Sequence, residues 1–315
     1  MKFLNEMREG SRIQDVYLCK HKQLAVTRNG KNYENVILQD RTGTMDAKIW
    51  EPNSEGIGDF EELDYIYVVG TVSSYNGSLQ ASLKQVRKAT ETEYIPADYL
   101  PVTKKNTKML YSKLWTYVES VQNPYLHQLL VSFFKEDKEF VRSFAQHSAA
   151  KTVHHSFVGG LLEHTVAVTN MADFMASQYP AINRDLLITT ALLHDIGKTR
   201  ELSLFPTNEY TDDGQMLGHI TIGAEMVHDH CAKIEGFPEL LETEVKHCIL
   251  AHHGEYEFGS PKKPALIEAM ALNLCDNADA KIETLTEVLE NGNVDEKWMG
   301  FNRFFDSNIR RTDEK

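Results

Sequence analysis

Eleven of the thirteen histidines in the chain fall between His147 and His253, and aspartates recur beside them. The segments are GLLEHT (His164), ALLHDIGK (His194, Asp195 and Lys198), LGHI (His219), LAHHG (His252 and His253) and LNLCDNADAK (Asp276 and Asp279). Each lies in or beside an apolar stretch with helical spacing. In DLLITTALLHDIGK, Leu186, Leu187, Ile188, Ala191, Leu192, Leu193 and Ile196 leave little of the helix polar, so it should be buried nearly all round. A carboxylate there is costly unless it is paired or bound to a cation, and Asp276 poses the same problem inside ALIEAMALNLCDNADA. For one isolated pair, a buried His–Asp hydrogen bond answers that penalty as well as a metal does. Five separate helices that each bring a His or Asp to an apolar position are most simply offset together, by one shared cation site. Imidazole with carboxylate suits Mn, Fe, Zn, Co and Ni, whereas Ca takes oxygen. Neighbours on one helix project about 100° apart, so His194 and Asp195 could serve two ions with the Asp carboxylate between them.

The elements that must position these residues fill only the second part of the chain. From Val16 to Arg87 the pattern is that of strands. Met45-Asp46-Ala47-Lys48-Ile49 alternates apolar and polar, and Tyr65-Ile66-Tyr67-Val68-Val69 is aromatic and β-branched. Asn29-Gly30 and Asn76-Gly77 supply tight hairpin turns. About five strands in some 75 residues predict a small closed barrel, of which the oligonucleotide-binding OB barrel is the obvious type. Tyr33, Trp50, Tyr67 and Tyr75 are candidate stacking platforms, with Lys20, Lys22, Lys31, Lys84, Arg87 and Lys88 for a nucleic-acid backbone. In a small barrel most aromatics serve packing and most lysines solvate a face, so the barrel as a whole carries that reading. Residues 91–106 (ETEYIPADYLPVTKKN) read as a linker. Thereafter helical spacing prevails, first at Leu110, Leu114, Tyr117, Val118 and Val121 with Asn123-Pro124 as a stop, then over 127–145, 157–177, 184–198, 218–233, 238–252 and 264–290.

Composition narrows the function. The 315 residues suit two domains, and 42% hydrophobic with 25% charged residues is ordinary for a globular chain. The net charge of −13 is not the footprint of a protein that coats duplex nucleic acid. It divides as −2 over residues 1–95 and −11 over the rest, so acidity concentrates where cations are wanted. Cys19, Cys231, Cys248 and Cys275 form no CxxC pair, which speaks against a zinc ribbon or disulfide scaffold and suits a reducing cytoplasm. No signal-like or membrane-spanning segment is read, so a cytoplasmic protein with no membrane partner is expected. Neither a GxSxG elbow nor a Walker GxxxxGK[ST] loop is present.

The order His164, His194-Asp195, Asp276 resembles the signature of the HD phosphohydrolase superfamily, whose members hydrolyse phosphate esters with metal on a helical domain. His219 and His252/His253 are similar to what its two-metal members add. A nucleic-acid-binding barrel ahead of such a domain resembles the YhaM-type 3′→5′ exoribonucleases over nearly the full chain, and HHSFVGGLLEHT, LLHDIGKTREL, GHITIG, HHGEYEFGSPKKP and DNADAK are like that family's segments. The resemblance implies a multidomain chain: an N-terminal all-β OB-like barrel (1–90), the linker, and an all-α HD-domain helical bundle (107–315). It implies that His164, His194, Asp195 and Asp276 hold a first metal, and that His219 and His252 hold a second with Asp195 bridging. His253 follows as a ligand or its neighbour. Lys198, one turn from His194, is expected at a substrate phosphate and, with Asp195, in the catalytic role. Its bland reading is an ion pair, as for Asp279. Asp279 is otherwise expected to orient a ligand imidazole, and His155 to contact phosphate or support a ligand. The implied cofactor is a pair of divalent transition-metal ions, Mn first, with Fe, Co or Ni next and Mg a poorer fit. The implied reaction is metal-assisted 3′→5′ hydrolysis of single-stranded RNA to nucleoside 5′-monophosphates, with single-stranded DNA as a second substrate and a homo-oligomer left open. Two other readings stay open: an HD enzyme acting on small nucleotides, and a non-catalytic single-strand-binding protein.

Overall fold

A computed structural model describes residues 2–27, 30–75, 77–151, 155–292 and 296–313. The chain forms two compact units, Met1–Val102 and Thr103–Lys315. The first is a five-stranded closed barrel of β1 (Arg12–Val26), β2 (Asn32–Asp40), β3 (Gly43–Ile49), β4 (Tyr65–Tyr75) and β5 (Ser78–Lys88) in the order β1-β2-β3-β5-β4, closed by β1 on β4. All pairings are antiparallel except β3 with β5. This is the order of an OB-like barrel. Alternation decides what fills it: Val36, Leu38, Ala47, Ile49, Ile66, Val68 and Ala81 point inward and are fully buried. Gly30 (φ +76°) and Gly77 (φ +82°) occupy the left-handed region that the hairpin turns require, while their partners Asn29 and Asn76 lie outside the described residues.

The segment read as a linker is largely docked on the barrel. Tyr94 stacks on Tyr65 with ring centroids 3.8 Å apart, Tyr99 and Leu100 are buried, and the boundary falls after Val102. Its aromatic residues, rather than its prolines, decide this.

The second unit is helical: α1 (Thr107–Ser120), α2 (Pro124–Val131), α3 (Lys138–Gln146), α4 (Gly160–Gln178), α5 (Arg184–Leu193), α6 (Lys198–Glu201), α7 (Asp212–Met216), α8 (Gly218–Cys231), α9 (Glu239–Ala251) and α10 (Ile267–Asn291). Asn106, Asn123 and Asn183 cap α1, α2 and α5 by accepting backbone N–H groups. Two differences from the sequence reading concern breaks. The helix expected over 127–145 is α2 and α3, parted by a π turn at Ser132–Glu136 and an Asp137 cap. The helix expected over 184–198 ends at Leu193, and α6 begins after a turn. A hairpin of β6 (Trp298–Asn302) and β7 (Ser307–Arg310) also follows α10, where only helix was expected. Its alternation is too short to read against the helical run before it. No helix among the described residues is long and apolar enough to cross a membrane.

Candidate metal centre

α5 is buried at every position from Leu186 to Leu193, which makes it the central rod of the unit. Where it ends, the residues His194-Asp195-Ile196-Gly197 form a turn inside the core, and Lys198 N–H donates to the Asp195 carbonyl to start α6. Gly197 is required there, because a Cβ would collide with the His219 carbonyl of α8. That close approach sets the start of α8 against Asp195. His164 comes from α4, His252 and His253 follow the end of α9, and Asp276 and Asp279 lie one turn apart on α10.

Imidazole Nε2 atoms converge on the Asp195 carboxylate. Its Oδ2 stands 3.5 Å from His164 Nε2 and 3.4 Å from His194 Nε2, and its Oδ1 stands 3.5 Å from His219 Nε2 and 3.7 Å from His252 Nε2. Asp276 Oδ1 lies 3.2 Å from His164 Nε2, and the donor atoms of His164, His194 and Asp276 lie within 4.8 Å of one another. A second group within the same limit is His219, His252 and His253. Asp195 is thus shared between two clusters.

The opposite ring nitrogens are held by the protein. Nδ1–H donates to Asp279 Oδ2 from His164 (2.7 Å), to the Ala191 carbonyl from His194 (2.8 Å) and to Glu201 Oε1 from His219 (2.9 Å). It donates to the Ile249 carbonyl from His252 (2.7 Å) and to the Phe258 carbonyl from His253 (2.8 Å). Each anchor turns Nε2 inward, where a metal-ligating histidine presents its lone pair; on His164 that nitrogen instead carries a proton shared with Asp276, which a metal would displace. Asp195 Oδ1, His219 Nε2 and His252 Nε2 are buried polar atoms without a hydrogen-bond partner in the described structure. Such groups cost free energy unless a further ligand satisfies them, so the residues fit divalent transition metals by donor type, by orientation and by the atoms left over.

Charge is distributed accordingly. Burial opposes ionisation of Asp195, but the nearby Lys198 ammonium and the His194 and His219 rings hold it well below the usual carboxylate range. Burial and the neighbouring His253 push His252 well down, and burial with His219 lowers His253, which keeps both rings neutral. Burial pulls His164 down too, yet hydrogen bonds to Asp276 and Asp279 outweigh it and raise the ring to about 9.

Lys198 Nζ lies 2.6 Å from Asp195 Oδ2 and is itself largely buried, so the ammonium is spent on the carboxylate. His155, fully buried with a left-handed φ of +59°, places Nε2 3.0 Å from Asp279 Oδ2, so Asp279 joins His155 to His164 behind the centre. Glu201, which holds both the N–H and the Nδ1 of His219, escaped the sequence reading. Its only signal is a carboxylate two turns beyond Asp195, within LLHDIGKTREL. On the barrel, Tyr33 and Trp50 lie side by side (centroids 5.2 Å) on the outer face of β2 and β3, with Lys48 near Tyr33. Lys31 is exposed beside the β1–β2 turn, and Tyr75 is exposed at the β4–β5 turn. Lys84 is exposed on β5. Arg87 is apart from these, paired bidentately with Glu93 (2.9 and 2.6 Å) and lying over Tyr67.

Comparison with known proteins adds a lineage to this geometry. Residues 161–281 match the HD domain family. The chain is 33% identical over 278 residues to the 3′-5′ exoribonuclease YhaM of Geobacillus sp. (strain WCH70), covering 88% of this chain and 85% of that protein. It is 32% identical to YhaM of Bacillus subtilis (strain 168), covering 89% and 88%, and 31% identical to YhaM of Listeria welshimeri, covering 96% and 97%. Among solved structures, the second OB-fold domain of replication protein A from Methanococcus maripaludis aligns with 29% of this chain and 95% of its own length, at 16% identity and a TM-score of 0.23.

Proposed function

Because the chain belongs to the YhaM family of 3′-5′ exoribonucleases, we propose that it shortens single-stranded RNA from the 3′ end with metal-activated water, releasing nucleoside 5′-monophosphates. The observation that carries the reading is the set of buried Nε2 atoms facing Asp195 with every opposite Nδ1 tied back. His164, His194, Asp195 and Asp276 would hold one divalent cation, and His219, His252 and His253 a second, with Asp195 between them. When bound, such a pair supplies an activated water and neutralises the leaving oxygen of an in-line displacement at phosphorus. Manganese suits the nitrogen-rich donor set, with iron, cobalt or nickel next and magnesium a poorer fit.

The chain's own residues do the rest. His252 and His253 stay neutral and so offer lone pairs at physiological pH. Lys198 holds Asp195 ionised and in place. Burial pushes the Cys248 thiol up to about 12 and Cys275 up to about 11, so neither is a thiolate nucleophile. Tyr33 and Trp50 on the β2–β3 face, with Lys31 and Tyr75 at its two turns, occupy the surface with which an OB barrel holds oligonucleotides. That surface takes any base, and single-stranded DNA is accommodated there as well. A cytoplasmic setting accords with four free, buried cysteines.

The test uses chelator-stripped protein with 5′-labelled single-stranded RNA, with and without Mn²⁺, and Asp195→Ala beside wild type. A metal-dependent ladder shortening from the 3′ end, absent in the variant, is expected. Intact RNA together with turnover of mononucleotides would replace the proposal with a small-nucleotide hydrolase, and binding without any turnover would replace it with a binding protein.

A further inference from the structure

Beyond His252-His253 the chain reads GEYEFGSPKK, a segment whose side chains take no part in the metal centre. Gly254 (φ +81°) and Gly259 (φ +89°) bracket a short 3-10 turn, Tyr256–Phe258. The Phe258 carbonyl accepts the Nδ1–H of His253 at 2.8 Å, so the turn is fixed directly to the imidazole group of His219, His252 and His253. Both aromatic side chains are nonetheless left in solvent, Tyr256 64% and Phe258 62% exposed. Lys263 Nζ stands 5.5 Å from the Tyr256 ring centroid and 2.5 Å from Glu255, and Lys262 is exposed beside it. One exposed aromatic is ordinary. Two on a turn anchored to a candidate ligand form a specific chemistry, π faces for bases, with the Lys262 ammonium for a phosphate while Lys263 is held by Glu255.

We infer that Tyr256 and Phe258, with Lys262 beside them, form the platform that takes the last unstacked bases of single-stranded RNA at the rim of the metal centre. The inference rests on the exoribonuclease reading and adds a subsite to it. It makes base stacking at the 3′ end a determinant of KM, independent of the barrel. A duplex end, whose bases already stack on each other, gains nothing from the platform.

The test uses the full, manganese-loaded chain and measures kcat and KM on an oligoadenylate and on the same oligomer with its last two nucleotides abasic. Tyr256→Leu keeps an apolar side chain and removes the π face. It should raise KM on the intact oligomer about tenfold, the loss of one stacked base at about 1.4 kcal/mol, with kcat kept. It should leave KM on the abasic oligomer unchanged, and Tyr256→Trp should restore wild-type values. Phe258→Leu should behave likewise, with its backbone carbonyl retained. An unchanged KM for both leucine variants, while wild type degrades RNA normally, overturns the inference alone. An equal loss on the abasic oligomer overturns it too, as does a change in sedimentation without a change in KM, which would make the patch a contact between copies. Wild-type protein that leaves RNA intact overturns the exoribonuclease reading, and the subsite with it.

Discussion

Asp279→Asn separates metal affinity from chemistry. Asp279 Oδ2 accepts a bond from His164 at 2.7 Å and stands 3.0 Å from His155 Nε2. Burial opposes its ionisation, but the hydrogen bonds to these two rings prevail and hold its carboxyl well below the usual range. Asparagine keeps one acceptor oxygen, turns the other position into a donor and removes the charge. A hydrogen bond to a charged group is worth about 1.5–3 kcal/mol and a neutral one about 0.5–1.5. Demoting the bond that orients His164 therefore loosens the ring by about 1–2.5 kcal/mol, or roughly 5–70-fold in metal Kd, which overlaps the usual result of removing the outer partner of a ligand imidazole. Calorimetric titration of chelator-stripped protein with Mn²⁺ reads this directly, and RNA degradation should recover its full kcat at saturating metal. A Kd within twofold of wild type would refute the orienting role. Activity that no metal concentration restores would also refute it, by moving Asp279 onto the substrate.

Two further outcomes follow from the same centre. Lys198→Met strands the buried Asp195 carboxylate, a loss of about 3–5 kcal/mol that should lower the Tm of chelated protein by about 6–20 °C in a unit of this size. Scanning calorimetry checks it, and an unchanged Tm with a raised KM for RNA would instead put the ammonium on a substrate phosphate. His164 has a folded pKa of about 9 against 6.5 for a free ring, because Asp276 and Asp279 outweigh its burial. The stability its proton contributes is complete below pH 6.5 and is lost as pH rises through 9. Chelated protein should lose Tm across that window, manganese-loaded protein should not, and metal uptake near neutrality should release a proton. A flat Tm profile in chelator would contradict the His164 assignment.

The residues of the centre were legible because burial makes them conspicuous: a carboxylate after Leu-Leu-His in an otherwise apolar helix needs a cation or a paired imidazole to offset its desolvation. Their geometry was not. Helical spacing places His194 and Asp195 on a continuous helix, whereas the helix stops at Leu193 and a turn aims both side chains inward. The stop depends on Gly197 meeting the α8 backbone, a tertiary contact with no trace in local periodicity. Glu201 was missed for a related reason, since a charged residue at the end of a four-residue helix looks solvated until α8 is laid over it. Lys198 shows the converse. Its spacing allowed either phosphate or carboxylate, and the 2.6 Å contact with Asp195 shows the partner it has in the protein alone. The barrel was readable from alternation and turn glycines, but the packing of Tyr94 and Tyr99 against Tyr65 turned an expected linker into its outer wall.

The acidity of the helical unit bears on how an anionic polymer is admitted. Asp195, Asp276, Asp279 and Glu201 outnumber the Lys198 ammonium and the charged His164 ring around the centre, and all four lie in or beside the core, where charge is weakly screened. Without cations this interior repels phosphate. Two divalent ions would reverse the sign locally, while the exposed acidic surface elsewhere keeps discouraging non-productive contact with RNA. Affinity for the polymer is then best supplied by groups that work without metal, the nearly neutral barrel and the Tyr256–Phe258 turn. Under the proposed function, cleavage is left to the one place where bound cations would overturn the field. Such a division would let an enzyme of nucleic acid carry a charge of −13.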